Sequence, residues 1–396
     1  MSAPSEPVYL DHAATTPMAP VAVEAMTRQL AAVGNANSLH ASGRRARRVV
    51  EESRETLAQA LDCRPAEIVF TSGGTEADNL AVKGIFWARR AADPRRVRVL
   101  TTAVEHHAVL DPVMWLAEHQ GAEVELLPVD RTGRLDVDAL RASIERDPES
   151  VALVSVMWGN NEVGTLQPVE EVVAVARPHG VPVHSDAVQA LGSVPVGFAA
   201  SGVDALTVTG HKVGGPYGVG ALVCRRETDV QPLVHGGGQE RDVRSGTLDT
   251  PAIAGFAAAV ELAVKQRTEH GQHVADLRDD LVRRVCAAVP EAHPHGPDDP
   301  GLRLPHVAHL GFPGCEGDSL LMLLDARGIE CSTGSACSAG VAQPSHVLLA
   351  MGCDEEAARH SLRFSFGHTS TRADVDAVVE AIVPVVERAR AAKRVG

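Results

Sequence analysis

Short apolar runs punctuate the first two thirds of the chain, separated by longer stretches of mixed polarity. Glu67-Ile68-Val69-Phe70, Arg98-Val99-Leu100-Thr101, Val151 to Met157, Val181-Pro182-Val183-His184, Ala205 to Thr209 and Val219 to Val223 each read as a strand. A helical pattern follows the first of them from Thr75. Strands alternating with helices predict an α/β fold with a mostly parallel sheet covered on both faces.

Past about residue 255 the texture changes. Ala252 to Arg278 reads as one long helix, and Pro, Gly and His then gather between Ala292 and Pro305. The rest predicts a smaller α+β unit. It has a strand near His306 to Gly311, a helix near Ser319 to Asp325, a Gly/Ser/Cys-rich loop and a last amphipathic helix from about Ala373 to Ala392. There is no internal repeat and no low-complexity tract.

The residues with chemical potential sit just after the strands, where open α/β sheets bind ligands. Thr75, His106, Asn161, Asp186, His211 and Lys212 are therefore expected to line one crevice. Lys212 follows an apolar strand within a glycine-rich loop, and a desolvated lysine becomes a nucleophilic amine able to form a Schiff base. A carboxylate at a strand end, as at Asp186, can pair with a pyridinium nitrogen; an ordinary helix N-cap is its other reading. Ser72-Gly73-Gly74-Thr75 offers a phosphate close backbone approach and a helix N-terminus. It has neither the Walker A lysine nor G-x-G-x-x-G spacing. His106 can stack on a planar cofactor or move protons, and His107 beside it can serve instead. Glu105-His106-His107 lacks the spaced partner histidine that a metal site needs, and no metal is expected.

Cysteine usage narrows the picture. The seven cysteines are Cys63, Cys224, Cys286, Cys315, Cys331, Cys337 and Cys353. They are scattered, and no pair has C-x-x-C spacing, which disfavours a disulfide framework, a local zinc site and an iron–sulfur scaffold. Cys337 lies in a small, polar, flexible stretch from Ser332 to Gly340, the setting of a reactive thiol. Cys331, nearer the preceding apolar segment, is expected to be partly buried.

Charge and length exclude further classes. The 396 residues carry a formal net charge of −14, against a general binder of nucleic-acid backbones. Arg44, Arg45, Arg47 and Arg48 form one basic cluster, expected to be the solvated face of a helix. No run approaches the ~20 apolar residues that span a bilayer, and the first residues lack the pattern of a signal peptide. The expected location is the cytoplasm.

Read together, the motifs closely resemble the cysteine desulfurases of the NifS/IscS family, in the class-V aminotransferase group of fold-type-I pyridoxal-phosphate (PLP) enzymes. The segments that carry the resemblance are Tyr9 to Pro17, Thr71 to Glu76, Asn160 to Gly164, Ser185 to Gln189, Gly210-His211-Lys212, His235 to Glu240, Arg244 to Thr247 and Leu362 to Ser365. The resemblance implies a large domain, residues 16–255, with a mostly parallel seven-stranded sheet. It assigns 1–15 and 256–396 to a small domain carrying the cysteine loop.

The same resemblance implies the roles. Lys212 bonds PLP, Asp186 pairs with the ring nitrogen, Gln189 with the phenolic oxygen, and His106 stacks on the ring. Thr75, Thr209, His211 and the Gly74 backbone hold the phosphate, and Thr247 reaches the phosphate of a neighbouring subunit, which implies a homodimer. Asn161 and Arg363, with Asn35, hold the substrate carboxylate. Cys337 takes sulfur from L-cysteine as a persulfide and passes it to acceptor proteins for iron–sulfur cluster assembly or tRNA thiolation. Ser332 to Cys337 resembles the subgroup with a long cysteine loop; the short Arg-x-Gly-x-x-Cys form is absent. Departures from the family pattern at Ala36, Val188 and Thr209 lie beside the chemistry. The alternatives are a selenocysteine lyase or another class-V aminotransferase; the latter has no need of Cys337.

Overall fold

The computed structural model describes residues 7–334 and 344–393. The strands are β1 (Val8–Tyr9), β2 (Ile68–Thr71), β3 (Arg98–Thr102), β4 (Glu123–Leu127), β5 (Val151–Ser155), β6 (Val183–Asp186), β7 (Ala205–Thr209), β8 (Gly220–Cys224), β9 (His293–Pro294), β10 (Val307–Gly311), β11 (Ile329–Glu330) and β12 (Ser361–Ser365). The helices are α1 (Pro20–Leu30), α2 (Ala41–Leu61), α3 (Gly74–Ala92), α4 (His107–Gln120), α5 (Val137–Arg146), α6 (Val169–Ala176), α7 (Phe198–Ser201), α8 (Thr250–Ala288), α9 (Gly317–Asp325), α10 (His346–Ala350), α11 (Glu355–Arg359) and α12 (Arg372–Lys393).

The expected seven-stranded sheet is present, in the order β2-β8-β7-β6-β5-β3-β4, and β8 runs antiparallel to both of its neighbours. Its strands bury both faces, which is why they are apolar runs rather than alternating ones. In β2, Ile68 and Phe70 face the core that includes α2, α6 and the start of α8, while Val69 faces α3 and α4. Strand β4 was not anticipated. It lies at the sheet edge, and its residues Glu123 to Leu126 are only partly buried or exposed, so it lacks an apolar run.

Helix α8 runs ten residues past the expected end at Arg278. Its first half adds Ile253, Phe256 and Val260 to the sheet's core, and its second half adds Val274, Leu277, Leu281 and Val285 to a separate one. That second core lies under the antiparallel sheet β12-β10-β9, joined by α9, α12 and Leu10 from the chain's beginning. The four arginines Arg44, Arg45, Arg47 and Arg48 are exposed on α2, as the sequence suggested. Among the described residues no helix is long and apolar enough to cross a membrane.

Candidate active site

A cleft of about 390 Å³ opens at the carboxyl ends of β2, β3, β5, β6 and β7. It is lined by ten of the anticipated residues: Gly74, Thr75, His106, Asn161, Asp186, Gln189, Thr209, His211, Lys212 and Arg363. Thr247 and Asn35 do not line it; both are exposed elsewhere on this chain. Cys337 lies outside the described residues.

Lys212 follows β7, and its Nζ donates to the carbonyls of Ala13 (2.5 Å) and Ala14 (2.8 Å). Burial, and then the charge of Arg363, lower its pKa to about 8. Either protonation state can donate these two bonds, and the free amine alone has a lone pair for chemistry. Gln189 Nε2 also donates to Ala13 O, at 2.8 Å, so lysine and glutamine share one anchor.

Asp186 ends β6 at the floor of the cleft. Its Oδ1 accepts from Val188 N at 2.8 Å, and burial, followed by repulsion from Asp78, raises its pKa to about 8. Asp78 and Glu105 are buried beside it and are likewise raised to about 8, burial again the leading cause. Asp78 lies one turn into α3, 3.5 Å from His184 Nε2, and its Oδ1 has no hydrogen-bond partner. His184 sits between the hydroxyls of Ser155 (2.9 Å) and Thr207 (3.0 Å), and burial drops its pKa to about 4, leaving it neutral. Asp78 lacks the apolar-run-then-polar signal that drew attention to the others, and its helical position hid it in the sequence.

The rest of the cleft is shaped by backbone. Gly73 precedes α3 at φ 152°, and the first turn of that helix has no side-chain cap. A Cβ on Gly74 would sit 3.1 Å from Val188 Cγ2, so glycine lets the helix N-terminus pack closely against Val188 at the cleft. His106 caps α4, its Nδ1 accepting from Ala108 N at 3.1 Å, which places the ring proton on Nε2. Thr209 Oγ1 donates to Val219 O at 3.1 Å. On the opposite wall, Arg363 of β12 donates to Asn161 O (2.9 Å) and to Asp11 Oδ1 (2.7 Å), while its Nε has no partner.

Near the rim, Cys331 is buried rather than partly buried, and burial pushes its thiol up to about 12. Asp11, Glu162 and His346 also serve the site and were not singled out as functional in the sequence; each becomes a partner only when distant segments meet.

A family model described as aminotransferase class-V matches residues 8–378. The chain belongs to the class-V aminotransferase family. Within that family it is 58% identical over 384 residues to the IscS-like cysteine desulfurase of Mycobacterium tuberculosis, covering 97% of each chain. The solved structure of a NifS-like protein superposes with a TM-score of 0.87 at 35% identity, over 96% of this chain and 99% of that one. A NifS-like protein from Rickettsia africae gives 0.86 at 30% identity, over 96% and 100%. The class-V aminotransferase assignment thus covers both the sheet that bears the cleft and the smaller core beside it.

Proposed function

We propose that the chain is a PLP-dependent cysteine desulfurase, converting L-cysteine to L-alanine and leaving the sulfur as a persulfide on Cys337. One observation carries the reading: Lys212, Asp186 and Arg363 converge on a single cleft in a chain so similar to a cysteine desulfurase.

PLP fits this cleft. A buried carboxyl held above its usual range, as at Asp186, regains its charge when a cation such as a protonated ring nitrogen stands against it. The uncapped start of α3, approachable because Gly74 has no side chain, suits a phosphate. Thr75, Thr209 and His211 would join it there, and Thr247 would arrive from the partner of a homodimer. His106 would cover the ring face, and Gln189 would bond the phenolic oxygen. When bound, the cofactor supplies an electron sink for negative charge at the substrate Cα.

The chain's own residues do the rest. Arg363, with Asn161, holds the substrate carboxylate. Lys212 would hold the cofactor, and its Nζ, as a free amine, would take the proton from the substrate Cα. The Cys337 thiolate then attacks the substrate sulfur. The new S–S bond forms as the substrate C–S bond breaks, the electron pair stays with the three-carbon fragment, and a proton completes alanine. An acceptor thiol or a reductant clears the persulfide, the acceptors being proteins of iron–sulfur cluster assembly or tRNA thiolation. In this reading residues 1–15 and 256–396 form a small domain that carries the cysteine.

The test is alanine production from L-cysteine by the PLP-loaded protein in the presence of dithiothreitol. Alanine and sulfide released one for one, with neither from Lys212→Ala, is the expected result. A keto acid in place of alanine overturns the reading in favour of transamination.

A further inference from the structure

Arg363 stands on β12, in the sheet of the smaller core, whereas Lys212 follows β7 of the large sheet. One short segment near the start of the chain holds both. Asp11 Oδ1 accepts from Arg363 Nη2 at 2.7 Å, and the carbonyls of Ala13 and Ala14 accept from Lys212 Nζ at 2.5 and 2.8 Å. Gln189 Nε2 donates to the same Ala13 carbonyl at 2.8 Å.

The segment is fixed on both sides of Asp11. Ser365, two residues beyond Arg363 on the same strand, donates its N–H to Leu10 O at 2.7 Å, and its Oγ accepts from Ala13 N at 2.8 Å. The Asp11 carbonyl accepts from Ala14 N at 3.0 Å and Thr15 N at 3.3 Å, which closes the turn. Thr16 N donates to the carbonyl of His211, next to Lys212, at 3.1 Å. The Asp11 carboxylate is therefore presented to Arg363 by a backbone that is itself held.

Arg363 has little else to aim it. Its side chain is 5% exposed, its Nη1 donates to Asn161 O at 2.9 Å, and its Nε has no partner. Among the described residues Asp11 is its one ion pair. Each terminal nitrogen keeps a second N–H for a ligand in the cleft.

We propose that Asp11 is a positioning residue for the substrate carboxylate: its side chain aims Arg363, while the turn that it opens carries the carbonyls that hold Lys212. One segment thus sets the guanidinium that grips the carboxylate in register with the lysine that holds the cofactor. This rests on the desulfurase reading, which puts the substrate carboxylate at Arg363.

Asp11→Ala removes the acceptor, whereas Asp11→Asn keeps an Oδ1 that can accept from the guanidinium. Ethylamine is L-alanine without its carboxylate. The experiment titrates each of the two into PLP-loaded wild type, Asp11→Ala, Asp11→Asn and Arg363→Gln, and reads the absorbance of the bound cofactor.

The apparent Kd for L-alanine is expected to rise about 10-fold in Asp11→Ala, in the range for losing a hydrogen bond to a charged group, and to stay within about 3-fold of the wild type in Asp11→Asn. Ethylamine binds the wild type and both Asp11 variants alike. Equal L-alanine binding by Asp11→Ala and the wild type overturns the proposal. So does an equal weakening of both ligands, which marks a general disturbance of the cofactor site, and so does a loss in Asp11→Asn as large as in Asp11→Ala. An Arg363→Gln protein that binds L-alanine as well as the wild type takes down the carboxylate subsite of the desulfurase reading beneath it.

Discussion

Arg54 and Glu240 meet edge to edge in the interior, joined by two N–H···O bonds of 2.8 and 2.7 Å. Glu240 also accepts from Phe70 N at 2.9 Å, and Arg54 donates to Ile68 O at 2.8 Å with its guanidinium over the Phe70 ring. The carboxylate thus ties the segment before Thr247 to β2, the strand that leads into the Ser72-Gly73-Gly74-Thr75 turn. Removing one partner strands a buried charge. Glu240→Ala is expected to lower stability by about 3–5 kcal/mol, read by urea denaturation. A loss below about 1 kcal/mol, the size of a surface pair, would contradict this.

Lys212 has a pH signature. Its pKa of about 8 means that the free amine accumulates as pH rises toward 8 rather than toward the ordinary 10.5. At pH 7 about a tenth of the molecules carry it free. The rate at which cofactor-free protein condenses with PLP should rise with pH and level off above about 8. Burial is the larger cause and Arg363 the next, so Arg363→Gln should move that midpoint upward. A wild-type midpoint near 10 would contradict the account.

Asp186 must be charged to hold a protonated ring nitrogen. Asp186→Asn keeps the shape and removes the charge. Alanine formation should fall by about 10²–10³-fold, the range for losing one preorganised electrostatic contact. The substitution should also shift the absorbance of the bound cofactor, and an unchanged spectrum would place Asp186 away from the ring.

Thr247 is exposed and absent from the cleft of its own chain. If it serves the neighbouring subunit, Thr247→Val weakens PLP retention. Mixing that variant with Lys212→Ala subunits rebuilds one complete site per dimer, and retention at that site should recover on gel filtration. A failure to recover would assign Thr247 to some other role.

Much of this was legible in sequence because central strands buried on both faces are apolar runs, and polar residues at or shortly after the ends of several of them, Thr75, His106, Asp186, Thr209 and Lys212, line the cleft. Ala205 to Thr209 followed by Lys212 shows both signals. Edge strand β4 carries neither, and β12, whose apolar residues Arg363 and Ser365 interrupt, was noticed only through the family resemblance of Leu362 to Ser365. Helix α8 outlasted its expected end because Arg278 is buried within it, and the apolar stripe resumes at Leu281 and Val285. The Asp11–Arg363 contact joins residues far apart in the chain, and no local pattern announces it. Asp78 and Glu105 became meaningful only once burial set them beside Asp186.

The central claim is that Cys337 takes the sulfur. Cys331, with a buried thiol pushed up to about 12, is a poor nucleophile at neutral pH. The decisive measurement is alanine release from L-cysteine, with reductant, by the wild type, Cys337→Ser and Cys331→Ser. The account predicts release by the wild type and Cys331→Ser and none by Cys337→Ser, with the cofactor bound in all three. Equal release by Cys337→Ser and the wild type would contradict it.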